Sequence, residues 1–265
     1  MILLKLGGSL ITDKNRIKTP RHEVISRIAD EIGEAFKLDR SLRLLLGHGS
    51  GSFGHPAAER YQTQKGASTR DEWLGFAEVW ATANELNRIL IDVLREVGLP
   101  AIAMPPSASV MSQGGSIEEM AVNPLKAAID ANLLPVVQGD VAFDVDQGAA
   151  IISTEEVFAF IAPRLQASLI LLAGIEEGVY ADYPDCTELL NELTEENLED
   201  VGLNGSAAVD VTGGMAGKVV QAIDICRENP GLQIRIFSGE RPGMILSALT
   251  GDPVGTLIRT SSSGG

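Results

Sequence analysis

Three stretches of the chain set lysines beside turns built from glycine and serine. The first is Lys5-Leu6-Gly7-Gly8-Ser9, with Lys14 nine residues after Lys5. The second, residues 44–61, reads LLLGHGSGSFGHPAAERY and carries Gly49, Ser50, Gly51 and Gly54 before its small-residue run ends on His55. The third, residues 210–218, reads DVTGGMAGK: Asp210 and Thr212 precede Gly213 and Gly214, and Lys218 falls one turn into a following helix. Small residues leave backbone N–H groups free to face a ligand, and successive N–H groups form a nest for an anion. A helix N-terminus adds a partial positive charge to the same end. Each stretch also has a plainer reading, as a tight turn with a solvated lysine or a capped helix start. Their co-occurrence is more telling, because lysines gathered in one place repel each other unless a polyanion offsets them. ATP beside a second phosphorylated substrate would supply that polyanion, and phosphoryl transfer asks mainly for positioning and charge stabilisation.

Two familiar phosphate signatures are not expected here. None of the three stretches has the Gly-x4-Gly-Lys-Ser/Thr spacing of a Walker A loop. Residues 47–54 are also expected to fail as a dinucleotide fingerprint, with no Gly-x-Gly-x-x-Gly opening a helix about twenty positions before an acidic residue. Of the three histidines, His55 is the functional candidate. His48, ahead of the glycines, is expected to be structural, and His22 to lie on a surface helix.

The 265 residues carry 36 acidic and 21 basic side chains, a net charge of −15. That balance argues against generic nucleic-acid binding and against docking on anionic membranes, both of which need a basic surface. Any phosphate site must then be a local basic pocket in an acidic protein. Apolar residues make up 45% and charged residues 22%, the proportions of a soluble globular chain. Cys186 and Cys226 match no metal spacing and read as idle or buried thiols in a reducing, cytoplasmic setting. The start, MILLKLGGSL, lacks the basic segment and length of a signal peptide. No run approaches the ~18 apolar residues of a membrane span. Residues 261–265 read as a flexible tail.

The elements that must hold these turns follow from periodicity. Apolar runs at 1–8, 42–49, 99–107, 133–140, 168–174 and 232–239 show little alternation and end in Gly, Ser or Asp. They read as strands buried on both faces of a parallel sheet. Amphipathic segments lie between them. In 20–36, Val24, Ile25, Ile28, Ile32 and Phe36 recur at helical spacing, with Thr19-Pro20 as cap and first-turn proline. Residues 71–97 place Trp73, Phe76, Trp80, Leu86, Leu90 and Leu94 on related faces; 155–166, 215–228 and 243–249 complete the set. In 137–153 two short apolar runs flank Asp146-Gln147-Gly148, a β-hairpin appended to the sheet. The order predicts an α/β fold: a three-layer αβα sandwich with a mainly parallel open sheet, one domain over residues 1–260.

Together KLGGSLITDK, GSGSFGH, PVVQGDV, DVTGGMAGK and the terminal GTLIR resemble the amino acid kinase superfamily, and within it the isopentenyl phosphate kinases. These motifs run from residue 5 to residue 259, nearly the whole chain. The resemblance implies a homodimer with ATP and Mg²⁺ as phosphoryl donor, the ion held mainly by the nucleotide phosphates. The acceptor it implies is isopentenyl monophosphate. By motif, Lys5 and Lys14 would contact the transferring phosphoryl group and Lys218 the nucleotide phosphates. Gly7, Gly8 and Ser9 would line the phosphate track, Gly213, Gly214 and Tyr180 the nucleotide side. Gly49, Ser50, Gly51, Gly54 and His55 would hold the acceptor phosphate, with Phe76, Val79, Val141 and Ile151 around its apolar tail. The acid that organises the lysines would be Glu155, one methylene longer than the family's aspartate. A fosfomycin kinase-like acceptor site and a nucleotide-binding regulator are the alternatives.

Overall fold

The computed structural model describes residues 1–182, 185–197 and 215–260. Strands β1 (Ile2–Leu6), β2 (Leu44–His48), β3 (Ala101–Ala103), β6 (Leu134–Gln138), β9 (Leu169–Gly174), β10 (Glu192–Leu193), β11 (Gln233–Ser238) and β12 (Thr256–Ile258) form an eight-stranded sheet. Its order is β10-β12-β11-β9-β1-β2-β6-β3. All neighbours are parallel except β11 and β12. The near-continuous apolar runs are explained by this burial on both faces. Along β1, Leu4 and Leu6 enter one core and Leu3 the other. The first core takes in helices α2 (His22–Leu38) and α4 (Arg70–Glu96) through Ile28, Ile32, Leu86 and Leu90. The second is closed by α6 (Thr154–Arg164) and α7 (Met215–Glu228) through Phe158, Ile161, Val219 and Ile223. The result is the expected αβα sandwich.

The hairpin is present, but not as an appendage to that sheet. Strands β7 (Asp140–Asp144) and β8 (Gly148–Ile152) pair around the expected turn. They then join β4 (Val110–Gln113) and β5 (Ser116–Met120) in a separate four-stranded sheet of order β5-β4-β7-β8. The run 99–107 holds only the three-residue β3, because Pro105 and Pro106 lack the N–H a ladder needs and lead into a 3₁₀ turn at Pro106–Ala108. Thr19-Pro20 does not cap α2. That helix starts two residues later, and Pro20 bridges Thr12 instead. Trp80 is 45% exposed, one position past the buried stripe of Val79, Ala83, Leu86 and Leu90. The expected tail, 261–265, lies outside the described residues.

Parallel register brings the carboxyl ends of β1, β2, β6 and β9 level, Leu6 opposite His48 and Ala173, and His48 opposite Gln138. The loops after these strands share one edge of the sheet, where ligands bind in open α/β folds. Two of those loops touch backbone to backbone. A Cβ on Gly8 would lie 2.6 Å from both Cα and N of Gly51, which itself has φ +49°. Gly8 is thus required by the neighbouring loop, whatever else approaches it. Gly8→Ala should force the loops apart and lower unfolding stability by about 1–3 kcal/mol, as overpacking does. Urea denaturation measures this; an unchanged midpoint would show that the contact can yield freely.

Candidate active site

Strand alternation decides where Lys5 goes. It shares a face with Leu3, on the side covered by α6 and α7. There its Nζ forms an ion pair with Oε1 of Glu155. Glu155 stands in the first turn of α6, whose start is fixed by a capping box between Ser153 and Glu156. An acidic side chain at a helix N-terminus is favoured by the helix dipole. The additional methylene of Glu155 therefore does not keep it from the lysine. Thr154 ties the same turn to β2, its Oγ1 donating to the His48 carbonyl at 2.7 Å.

Ser50 and Gly51 do not sit in an open loop. Gly51 begins α3 (Gly51–Tyr61), with Ser50 as N-cap, so Gly54 and His55 are helical. Residues 49–54 do carry the Gly-x-Gly-x-x-Gly spacing and open a helix, which corrects the sequence expectation. The acidic residues about twenty positions on, Asp71 and Glu72, fall in the first turn of α4, where Glu72 completes a capping box with Thr69. Neither lines the cleft described below. His55 lines that cleft, and its imidazole is held below the usual range by burial, then by the charges of Lys14 and Lys5. The Lys218 ammonium is also held low, first by burial and then by Lys5.

Two cavities meet at these groups. One, of about 730 Å³, is lined by Gly49, Ser50, Gly51, Gly54 and His55, with Val79 and Ile151 among its apolar walls. The other, of about 390 Å³, is lined by Gly174, Glu176, Gly178 and Tyr180, with Met215 and Ala216 at the start of α7. Lys5, Lys14, Lys218, Glu155, Gly7 and Ser9 line both. Gly8 lines the larger cavity alone. Three cations thus stand where two chambers join, and each chamber is large enough for a small molecule. Such a junction suits an anionic group shared between, or passed between, two ligands.

Two expected wall residues stand elsewhere. Val141 is fully buried, and Phe76 packs with it and against Trp73 and Phe143, ring centroids 5.5 and 5.1 Å away; neither lines the cavity. Their apolar character serves the core behind the wall. Gly213 and Gly214 lie outside the described residues. Sequence reasoning missed Asp140 and Ile17, which both line the larger cavity. Asp140 had a legible signal, an acid directly after a strand-ending glycine in QGD. Ile17 had a fainter one, a lone apolar residue among charged neighbours.

Residues 1–238 match the amino acid kinase family. The chain belongs to that family. It is 33% identical over 267 residues to an isopentenyl phosphate kinase of Methanocaldococcus jannaschii, covering 97% of this chain and 98% of the relative. To the isopentenyl phosphate kinase of Methanothermobacter thermautotrophicus it is 33% identical over 271 residues, with 97% and 98% covered. An X-ray structure of isopentenyl phosphate kinase superposes with a TM-score of 0.82 at 30% identity, covering 97% of this chain and 99% of the other.

This amino acid kinase buries two titratable groups beside the cleft, and they pull stability in opposite directions. His48 is fully buried; its Nδ1 lies 3.1 Å from the Gly49 carbonyl and its Nε2 2.9 Å from the Asn87 amide nitrogen. A neutral ring with Nδ1–H donating and Nε2 accepting satisfies both contacts, whereas a second N–H would face the Asn87 donor. Burial, with the Lys5 charge, brings its pKa down to about 4. Asp140 is 2% exposed and accepts N–H bonds from Val141 (2.9 Å) and Ser107 (3.2 Å). Burial outweighs those bonds and pushes its carboxyl up to about 6. Between the folded and ordinary values of His48, the unfolded chain binds the extra proton, so stability falls as pH falls from about 6.5 to about 4. For Asp140 the folded chain binds it, so stability falls as pH rises from about 4 to about 6. The two effects offset each other in their shared window. Relative to the parent, His48→Gln should gain about 1.4 kcal/mol per unit as pH falls through that window, and Asp140→Asn should gain similarly as pH rises. Denaturant titrations at pH 4, 5 and 6 check this; parallel curves for all three proteins would refute both assignments.

Proposed function

We propose that this kinase transfers the γ-phosphoryl group of ATP directly, in line, to isopentenyl monophosphate, giving isopentenyl diphosphate and ADP. The observation that carries this reading is the pair of cavities opening on the same three lysines, one of them lined by His55 and the glycine-rich start of α3, the other by neither. The full-length likeness to isopentenyl phosphate kinases supports the choice of acceptor. ATP would occupy the chamber between Gly174 and α7, with Tyr180 toward the base and Lys218 on the phosphates. The acceptor would occupy the larger chamber, its phosphate at Gly49, Ser50, Gly51, Gly54 and His55, its tail against Val79 and Ile151. Lys5, steadied by Glu155, and Lys14 would then flank the group in transit along Gly7, Gly8 and Ser9. In the eight-stranded sheet β1 stands between β2, whose following turn lines the larger chamber, and β9, whose following turn lines the smaller one, which supports one domain over residues 1–260 working on both substrates. A cytoplasmic homodimer is part of the proposal.

The acceptor's own chemistry lightens the demand on the protein. A phosphate monoester has its second pKa near ~6, so at neutral pH its oxygen attacks without a strong base. The attacking oxygen forms a bond to the γ-phosphorus as the bond to the ADP oxygen breaks. His55, lining the same chamber, holds that oxygen as an N–H donor. Lys5, Lys14 and Lys218 counter the charge spread over the transferring group. Among the described residues no cluster of three His, Cys, Asp or Glu builds a metal cage. A Mg²⁺ ion would be carried on the nucleotide phosphates, where it would neutralise charge. Among the described residues, no helix is long and apolar enough to cross a membrane.

Purified protein with Mg·ATP should convert isopentenyl monophosphate to the diphosphate. His55→Ala should lower kcat/KM for the acceptor about 100-fold, the size of a lost transition-state donor, with little change in KM for ATP. Turnover that survives His55→Ala intact would remove the histidine from the acceptor site. Phosphorylation of fosfomycin but not of isopentenyl monophosphate would establish the phosphonate kinase alternative. ATP binding without turnover of either would favour the regulator.

A further inference from the structure

Lys14, Asn15 and Ile17 of the segment 13–19 line the larger cavity, and the segment's placement traces to a proline in another element. Pro56 lies inside α3 and has no N–H, so the Ser52 carbonyl lacks its usual partner four residues on. The Lys18 N–H takes that place at 3.0 Å. Thr19 N–H reaches the Ser52 hydroxyl at 3.4 Å, and Asp13 N–H bonds the Thr19 carbonyl at 2.9 Å. Lys18 holds φ +51°, a left-handed conformation uncommon for lysine, which persists only where neighbours over-determine it. Its ammonium then reaches across to α4 and pairs with Glu85 at 2.8 Å. A short segment is thus fixed to both α3 and α4.

What this segment holds in place is Ile17. Its side chain is 72% exposed, yet it lines the same cavity as Val79 and Ala83 of α4, Ala58 of α3 and Ile151 of β8. A solvent-exposed apolar side chain on a held segment, sharing a cavity with other apolar side chains, is covered when an apolar ligand fills that cavity. We propose that Ile17 is a specificity-determining residue: it roofs the hydrocarbon tail of the acceptor, with the Lys18–Glu85 pair setting the height of that roof above α4. This deepens the acceptor reading above and rests on it. The tail would be gripped on two sides, by the fixed wall of α4 and β8 and by a residue from the segment that also carries Lys14. Binding of the tail and placement of a charge-countering lysine would then be coupled through the four residues Lys14 to Ile17.

The test compares the parent protein with Ile17→Ser and Lys18→Met; both positions are solvent-exposed, so the fold should survive both changes. Ile17→Ser should raise KM for isopentenyl monophosphate about five-fold, roughly the apolar contact of one side chain, and more than it lowers kcat. Competitive inhibition by methyl phosphate, which has the phosphate without the tail, should be unchanged. Lys18→Met should shift the preference for a five-carbon over a ten-carbon prenyl monophosphate toward the longer one. An unmoved KM in Ile17→Ser, or an equal weakening of methyl phosphate, would overturn the roof. An unmoved chain-length ratio in Lys18→Met would overturn the clasp. Absence of turnover by the parent would instead bring down the acceptor reading, and this inference with it.

Discussion

Much of this molecule is arranged around one ammonium group placed where water is scarce. Lys5 lies on the strand at the middle of the sheet, and a cation there is costly unless a counter-charge and hydrogen-bond partners meet it. Glu155 supplies the counter-charge from the first turn of α6. That turn is itself fixed twice, by the Ser153–Glu156 capping box and by the Thr154 hydroxyl on β2. Strand, helix start and neighbouring strand are therefore located relative to one charge pair. The pair neutralises a single lysine and leaves Lys14 and Lys218 in excess, so the junction keeps a local positive bias inside a chain of net charge −15. An acidic exterior with a basic throat concentrates small anions at one place.

The fold was legible wherever a strand is covered on both faces. Runs such as LLPVVQGD and SLILLAG have no alternation to mislead, and Gly marks each carboxyl end. It was less legible where local chemistry competes with pattern. Thr19-Pro20 has the composition of a helix start, but a bridge to Thr12 claims it. Residues 99–107 have the apolarity of a strand, but two prolines withhold the ladder donors. The second sheet was hidden because MSQ and SIEEM alternate weakly, and β4, to which β5 pairs, joins β7, a partner about thirty residues away.

At the site, charge and backbone type were readable and shape was not. Lysines after glycine turns at strand ends announce an anion site from sequence alone. Which apolar residues form the cavity wall, and which form the core behind it, depends on rotation about α4 by a fraction of a turn. Phe76 and Val79 are three apart on one helix, yet only Val79 faces the opening. Glycine was ambiguous for a different reason. Gly8 answers to the backbone of Gly51, so its smallness reflects loop-on-loop contact as much as ligand approach. Ile17 was only faintly marked because its position depends on a carbonyl freed by a proline thirty-nine residues later.

The central place of β1 also has a consequence in time. Its partners are β2, which follows soon after in the chain, and β9, whose Leu169 sits opposite Ile2. On a ribosome adding roughly 5–20 residues each second, the second partner emerges on the order of ten to thirty seconds after the first strand. For that interval one edge of the central strand has no mate, and Lys5 has no Glu155. Non-local pairing of this kind slows folding and exposes an edge that other chains can claim. The strand order that places the cleft at the middle of the sheet therefore makes the nascent chain most vulnerable before its chemistry exists. Helices α2 and α4, made early and packed on the same core, are the elements available to shelter it.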